Sequence, residues 1–224
     1  MAAKTEIWGI VDMGSNTIRL CVYLPNFETR TYKKLLDARE TVGLASYVED
    51  GVMSKEGVKA ASKALRKLLR TAELVGCKRM FVFATAAIRN CKNSAEVVDL
   101  IQDRNCCKIE VLSGVDEARL SARGALETVD VNTGLFFDIG GGSTELVLLE
   151  EGVYQGGESL PFGSLSVWHD YVCELVPTAE ELARVAENVR RAINGSGVDL
   201  AKVESLCGIG GTVRMAIKVA AELG

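Results

Sequence analysis

Apolar and polar positions run in short blocks at the start of this chain and then change period. Ile7-Trp8-Gly9-Ile10-Val11 is a continuous apolar run, and residues 6–12 and 17–24 are rich in β-branched and aromatic side chains. They predict a hairpin, with a third strand over 30–39. The period then becomes helical. Val58, Ala61, Leu65, Leu68, Leu69, Ala72 and Val75 share one face, Ser54 precedes the run, Glu56 sits in its first turn and Gly76 stops it. Met80 to Ala84 predicts a short buried strand. Asn93 with Glu96 has capping-box spacing for a helix to about Arg104. A strand over 108–112 and a helix over 115–129 follow. The order then restarts, with strands 134–140, 144–149 and 153–160 and a helix over 163–173. Thr178 and Glu181 predict a capped helix to about Ile193. Residues 203–207 read as a strand, and the Gly208–Thr212 loop opens a last helix to Leu223. Each half reads β-β-β-α-β-α, which predicts a duplicated α/β fold with mixed sheets covered by helices. The short polar segment Thr128 to Thr133 is the expected boundary, giving domains 1–128 and 129–224.

Composition narrows the class. The 224 residues are 48% hydrophobic and 25% charged, ordinary for a soluble globular protein. The first ten residues carry Lys4 and Glu6, no pattern of a secretory signal, and no apolar stretch is long enough to span a bilayer. Seven scattered cysteines without a C-x-x-C fit reduced thiols in a cytoplasmic protein better than a disulfide framework or a zinc site. The net charge of −4 hides an asymmetry: residues 1–92 hold 16 Lys/Arg against 9 Asp/Glu, and the remainder holds 10 against 21. The basic half could attract a polyanion. Equally, Lys55 to Arg79 could decorate the wet face of one helix.

The strongest chemical signal is one motif written twice. Asp12-Met13-Gly14-Ser15-Asn16-Thr17 and Asp138-Ile139-Gly140-Gly141-Gly142-Ser143-Thr144 each follow an apolar strand and precede another. Glycine permits a sharp turn and close approach to a ligand. Successive turn N–H groups form a concave nest for anions, and a neighbouring carboxylate can hold a hard cation against phosphate oxygens. Two copies predict two facing halves with a phosphate between them. Gly208-Ile209-Gly210-Gly211-Thr212 before a helix is a third candidate anion loop. Arg89, after the strand 80–84, offers a planar fork for phosphate, although by itself the segment reads more readily as a surface arginine at a helix end. Glu117 follows a strand end, where a carboxylate could orient or deprotonate water; alone, Asp116 and Glu117 read as helix N-terminal acids. His169 is the single histidine, which argues against a Ser-His-Asp hydrolase and a multi-histidine metal site. A bound metal should therefore be Mg²⁺ or Mn²⁺ on carboxylates and phosphate.

Taken in order, these motifs resemble a known family. Asp12-x-Gly14-Ser15-Asn16-Thr17, Arg39-Glu40, Ala84-Thr85-Ala86-Ala87-Ile88-Arg89, Gly114-x-x-Glu117-Ala118, Asp138 through Glu145, Ser159-Leu160-Pro161-Phe162-Gly163-Ser164 and Gly208 through Thr212 occur across nearly the whole chain. The chain resembles the exopolyphosphatase / guanosine pentaphosphate phosphohydrolase (Ppx/GppA) family. The resemblance implies the duplicated ribonuclease H-like fold of actin, sugar kinases and heat-shock ATPases, with the site in the cleft between lobes. It implies a Mg²⁺-dependent phosphoanhydride hydrolase acting on inorganic polyphosphate, on guanosine pentaphosphate, or on both. By the same resemblance Glu117 is the catalytic base and Asp138 the second essential acid. Asp12, Gly14, Ser15, Asn16, Thr17, Arg89, Gly140, Gly141, Gly142, Ser143, Gly210, Gly211 and Thr212 match phosphate-contacting positions. Asp12, Asp138 and Glu117 are the expected metal ligands, and Arg39 and Glu40 are expected to shape the cleft. Family members continue well past the third glycine loop, so the second lobe is expected to be incomplete, which supports the polymer more than the nucleotide. A non-catalytic polyphosphate or alarmone sensor is the alternative, and an ATP-dependent kinase or ATPase of the same superfamily a weaker one. No nucleic-acid or membrane partner is expected; a homodimer is a candidate state.

Overall fold

The structure, a computed structural model, describes residues 6–200 and 203–223. The chain divides between Leu112 and Ser113 into two compact units.

In the first unit β1 (Trp8–Met13), β2 (Thr17–Asn26) and β3 (Thr31–Thr41) form an antiparallel meander. A 3₁₀ turn at Leu44–Tyr47 and a small hairpin of β4 (Val48–Glu49) and β5 (Val52–Met53) lead into α1 (Lys55–Val75). β6 (Arg79–Ala84) returns parallel to β1. The single turn α2 (Ala86–Arg89), α3 (Ser94–Asn105) and β7 (Glu110–Val111), parallel to β6, complete the unit. The sheet order is β3-β2-β1-β6-β7. Strand alternation puts Val11 and Met13 of β1 and Ile18, Leu20 and Val22 of β2 into one core. Val58, Ala61, Leu65, Leu68 and Ala72 of α1, spaced as a helical stripe, join the same core. Ser54 caps α1 by accepting from Gly57 N (3.1 Å), and Gly76 ends it in a left-handed conformation, φ 84°.

The second unit opens with α4 (Gly114–Leu126) and continues as the meander β8 (Gly134–Ile139), β9 (Thr144–Glu150) and β10 (Val153–Leu160). Then come α5 (Ser164–Tyr171), α6 (Ala179–Gly195), β11 (Leu206–Ile209) parallel to β8, and α7 (Gly210–Leu223). Its order, β10-β9-β8-β11, repeats β3-β2-β1-β6. The duplication is therefore one of topology as well as motif. The Thr178–Glu181 capping box forms as expected: Thr178 Oγ1 accepts from Glu181 N (3.2 Å), and Glu181 Oε2 accepts from Thr178 N (2.8 Å).

Three expectations change. The expected boundary at 128/129 moves to 112/113, because α4 belongs to the second sheet: Ala118, Ala122 and Ala125 pack on Phe136, Val147 and Leu149. The segment expected to link domains is instead tied to the β9–β10 turn, with Gly152 N donating to Asn132 O (2.7 Å) and Glu151 N to Thr133 Oγ1 (3.0 Å). Asn93 does not cap α3. Its amide pairs with both backbone groups of Met53, accepting from the N–H (3.0 Å) and donating to the carbonyl (3.1 Å). The last strand lies at 206–209 rather than 203–207, so the third glycine run is a strand end passing directly into a helix rather than a loop. None of the seven cysteines is in a disulfide, and among the described residues no helix is long and apolar enough to cross a membrane.

The Asn93 pairing makes a prediction. Asn93→Ala should destabilise the protein by about 1–3 kcal/mol, since it strands two backbone groups of β5. Asn93→Ser, a good helix cap too short to reach both groups, should leave most of that loss in place. Urea unfolding of both variants measures it, and full rescue by serine would restore the capping interpretation.

Candidate active site

In the first unit the carboxyl ends of the parallel strands β1 and β6 lie side by side, Met13 opposite Ala84. Open α/β sheets place ligands at such ends. The β1–β2 turn is closed by Gly14 N donating to Thr17 O (3.1 Å). Asn16 O accepts from Val42 N (2.9 Å) and Gly43 N (2.8 Å), and Ser15 O accepts from Ala45 N (3.0 Å). These bonds tie the turn to the chain leaving β3. Asp12 is exposed near the end of β1, Ser15 is buried and Asn16 is exposed. Beside the turn, Thr85 N and Oγ1 both donate to Met13 O (3.4 Å each), and α2 carries Arg89, whose Nη1 donates to Leu112 O (3.2 Å). The fold thus brings Asp12, Gly14, Ser15, Asn16, Thr17 and Arg89 to one end of the sheet, beyond the carboxyl ends of β1 and β6. Arg39 and Glu40, expected to shape the cleft, lie in ion pairs near the end of β3: Arg39 with Asp37 (3.3 Å) and Glu40 with Lys67 (2.6 Å). Asp37 also takes Arg19 and Lys34, and these three cations hold its carboxyl well below the usual range.

The second turn repeats the first, with Gly140 N donating to Ser143 O (2.9 Å). It has an added brace. Ser164 N donates to Gly140 O (2.8 Å), while Leu165 N (2.9 Å) and Ser166 N (3.1 Å) donate to Gly141 O. The otherwise unpaired N–H groups at the start of α5 therefore consume the carbonyls of Gly140 and Gly141. Gly163 makes this approach feasible: a Cβ there would stand 2.6 Å from the Gly140 carbonyl oxygen. The motif at 159–164 thus acts as the support of the turn at 140–143. Ser143 is buried at the end of that turn.

The carboxylates of this unit converge. Asp138, next to last in β8, accepts weakly from Ser121 Oγ of α4 (3.5 Å). Burial pushes its pKa up, partly offset by Ser121 and by the charge of Arg214 on α7. Gly210, at φ 84°, meets this same carboxylate, where a side chain would collide with it. Gly210 is therefore set by close approach to Asp138, and Gly211 and Thr212 follow in the first turn of α7. Half-buried Glu117 sits in the first turn of α4, and that helix end packs through Gly114 directly on Ser159. Ser159 Oγ in turn donates to Glu145 Oε1 (2.8 Å).

Glu145 is the residue missed by the site assignment from sequence. It is only 4% exposed, and its pKa is pushed up to about 7. Burial is the largest cause and the charge of Glu117 the next; Ser143 and Ser159 oppose the rise, and Asp138 adds to it. A glutamate following Gly-Gly-Gly-Ser-Thr was the available signal, but strand alternation alone left its face unassigned. Among the described residues, no group of three or more His, Cys, Asp or Glu side chains forms a metal-binding cluster. The unit offers instead carboxylate oxygens of Asp138 and Glu117 beside a turn of backbone N–H groups. Such a donor set suits a hard cation that keeps water or phosphate oxygens in its remaining positions. His169 lies on the surface of α5 beside Asp170 (2.9 Å).

The family model described as the Ppx/GppA phosphatase family matches residues 29–222. Exopolyphosphatase 1 of Mycobacterium leprae and that of Mycobacterium tuberculosis are each 26% identical over 192 residues, covering 80% of this chain and 53% of theirs. The chain thus spans about half the length of the curated relatives it matches. Among solved structures, an exopolyphosphatase-like protein matches with a TM-score of 0.87 at 25% identity, over 98% of this chain and 70% of its own. An exopolyphosphatase from Cytophaga hutchinsonii matches with 0.80 at 23% identity, over 97% and 72%. The Aquifex aeolicus Ppx/GppA family member matches with 0.73 at 22%, over 93% and 67%.

The geometry predicts a pH signature for Glu145. A carboxyl whose folded pKa stands above its ordinary 4.5 holds its proton more tightly in the folded state. Its destabilising effect is absent below about pH 4.5, grows as pH rises, and is complete above about pH 7. Glu145→Gln should therefore raise stability by about 1–3 kcal/mol at pH 8 and by much less at pH 5. Urea unfolding at the two pH values checks it; an equal effect at both would show that Glu145 is not raised.

Proposed function

Because this chain belongs to the Ppx/GppA phosphatase family, we propose that it is a phosphoanhydride hydrolase releasing terminal orthophosphate from inorganic polyphosphate. Guanosine pentaphosphate, through its 5′ γ-phosphate, is the second candidate substrate. The observation that carries the reading is the acidic pair Glu117 and Glu145 beside the Gly140–Ser143 turn, with Glu145 raised to about 7. The names of the exopolyphosphatase relatives favour the polymer.

The roles follow from position. The N–H groups of Gly141, Gly142 and Ser143, in the turn whose Gly140 and Gly141 carbonyls are already engaged by α5, receive phosphate oxygens. Glu117, half-buried at a helix start, takes the proton from the attacking water. Glu145, pushed up to about 7 by burial and by the charge of Glu117, exchanges its proton near neutral pH, and Ser159 Oγ donates to its Oε1 (2.8 Å). In the first unit, the turn from Gly14 to Thr17 and the Arg89 guanidinium supply further anion contacts. Asp138 and Glu117 of the second unit are the residues that would hold Mg²⁺ or Mn²⁺, and Asp12 is the candidate ligand of the first unit. When bound, that ion neutralises charge building on the phosphate oxygens, the main demand of phosphoryl transfer.

A sensor that binds polyphosphate without turnover is the second reading. Phosphate release from both substrates, with Mg²⁺ and with chelator, separates the two. Chelator-sensitive release is expected from polyphosphate. Glu117→Gln should lower kcat by about 10²–10⁴-fold while polyphosphate binding persists. Full turnover by that variant would remove Glu117 as the base, and tight binding without release under any divalent cation would establish the sensor.

A further inference from the structure

The exposed face of α1 carries an unbalanced charge. Lys55, Lys59, Lys63, Arg66, Lys67 and Arg70 are all exposed. At 3.6 residues per turn they fall within about a third of the helix circumference, opposite the buried stripe through Leu65 and Leu68. They extend along about 22 Å of helix axis. Between Gly57 and Ala72 the helix holds five cations and no acid. A solvated helix face gains from opposite charges four residues apart; here Lys55, Lys59, Lys63 and Lys67, and separately Arg66 and Arg70, place like charges at that spacing. Such a stripe opposes its own helix until an anion neutralises it.

The stripe forms one wall of a groove of about 850 Å³. Lys63, Arg66, Lys67 and Arg70 line it on one side, and Glu40, Thr41 and Tyr47 on the other, so four cations face one acid. Two of the cations are held in place, Arg66 Nη2 by donating to Arg104 O (2.8 Å) and Lys67 Nζ by Glu40 (2.6 Å). Lys63 and Arg70 make no hydrogen bond or ion pair with another described residue. The groove is also continuous with the first phosphate turn. Thr41 pairs across the sheet with Thr17, and Val42, another lining residue, donates its N–H to Asn16 O.

We propose that this groove holds the body of an inorganic polyphosphate chain, extending from the Gly14–Thr17 turn along α1. This rests on the hydrolase reading for the identity of the polyanion. A polymer is indicated because the cations are spread along a helix rather than gathered around one point, so each added phosphate adds an ion contact. Single-stranded nucleic acid fits less well, since the groove has one aromatic side chain, Tyr47, and no series of stacking platforms. The nucleotide substrate is too short to occupy it, so the groove would discriminate by chain length.

The test uses the full chain with Lys63→Glu/Arg70→Glu and the milder Lys63→Gln/Arg70→Gln. Neither position is in the core or the catalytic set, and the thermal transition confirms folding. Fluorescence anisotropy with end-labelled long-chain polyphosphate, titrated over salt, reads binding independently of turnover. The Glu variant should bind at least about tenfold more weakly, the Gln variant should lie between, and the slope of log affinity against log salt should fall by about two. KM for long polyphosphate should rise while kcat and the KM for tripolyphosphate stay unchanged. Unchanged long-chain binding, equal weakening for long and short chains, or a DNA oligonucleotide binding as tightly with the same losses would each overturn the groove. Groove-dependent binding without any phosphate release would sink the hydrolase reading and leave the groove; normal release without groove dependence would do the reverse.

Discussion

Both units depend on the same short closure, a glycine N–H returning to the carbonyl three residues on: Gly14 to Thr17 at 3.1 Å and Gly140 to Ser143 at 2.9 Å. The bond reverses the chain in the shortest space available after a strand. It thereby sets the register in which β2 pairs with β1 and β9 with β8, beginning at Met13 opposite Ile18 and at Ile139 opposite Thr144. A slip of one residue would turn every core side chain of β2 or β9 to the other face. The turn that could receive phosphate is therefore also the turn that specifies the sheet.

The two copies have diverged in their electrostatics. The first turn is tied to the strand exit at Val42–Ala45 and borders a cation-lined groove. The second is braced by the start of α5 and borders buried carboxylates, Asp138 and Glu145, both raised in pKa. Burial disfavours the ionised forms of both, and the charge of Glu117 adds to the rise at Glu145. One topology thus supplies a cation-lined groove in one unit and buried carboxylates in the other.

Much of this was legible beforehand. The limits of α1 follow from Ser54, the apolar stripe and Gly76, because caps and periodicity act within a few residues of the positions they determine. The repeated meander and its two Asp-x-Gly turns were equally local. Other features were not. Asn93 has the spacing of a helix cap, but Met53, forty residues earlier, presents a pair of backbone groups that match its amide better. The alanine stripe of α4 announces a buried helix without saying which sheet buries it, and the expected boundary was misplaced for that reason.

The sequence by itself determined the strand–turn–strand units, the helix caps, the motifs carrying Glu117 and Asp138, and the charge asymmetry of the two halves. Each rests on neighbours along the chain. Tertiary structure decided that α4 joins the second unit, that Gly163 and Ser164 brace the 140–143 turn, that Gly210 yields space to Asp138, and that Glu145 faces inward toward Ser159 and the charge of Glu117. Those outcomes depend on through-space distance and desolvation. Neither is a property of a residue and its neighbours in sequence, because both arise only when segments far apart in the chain exclude water from the same volume.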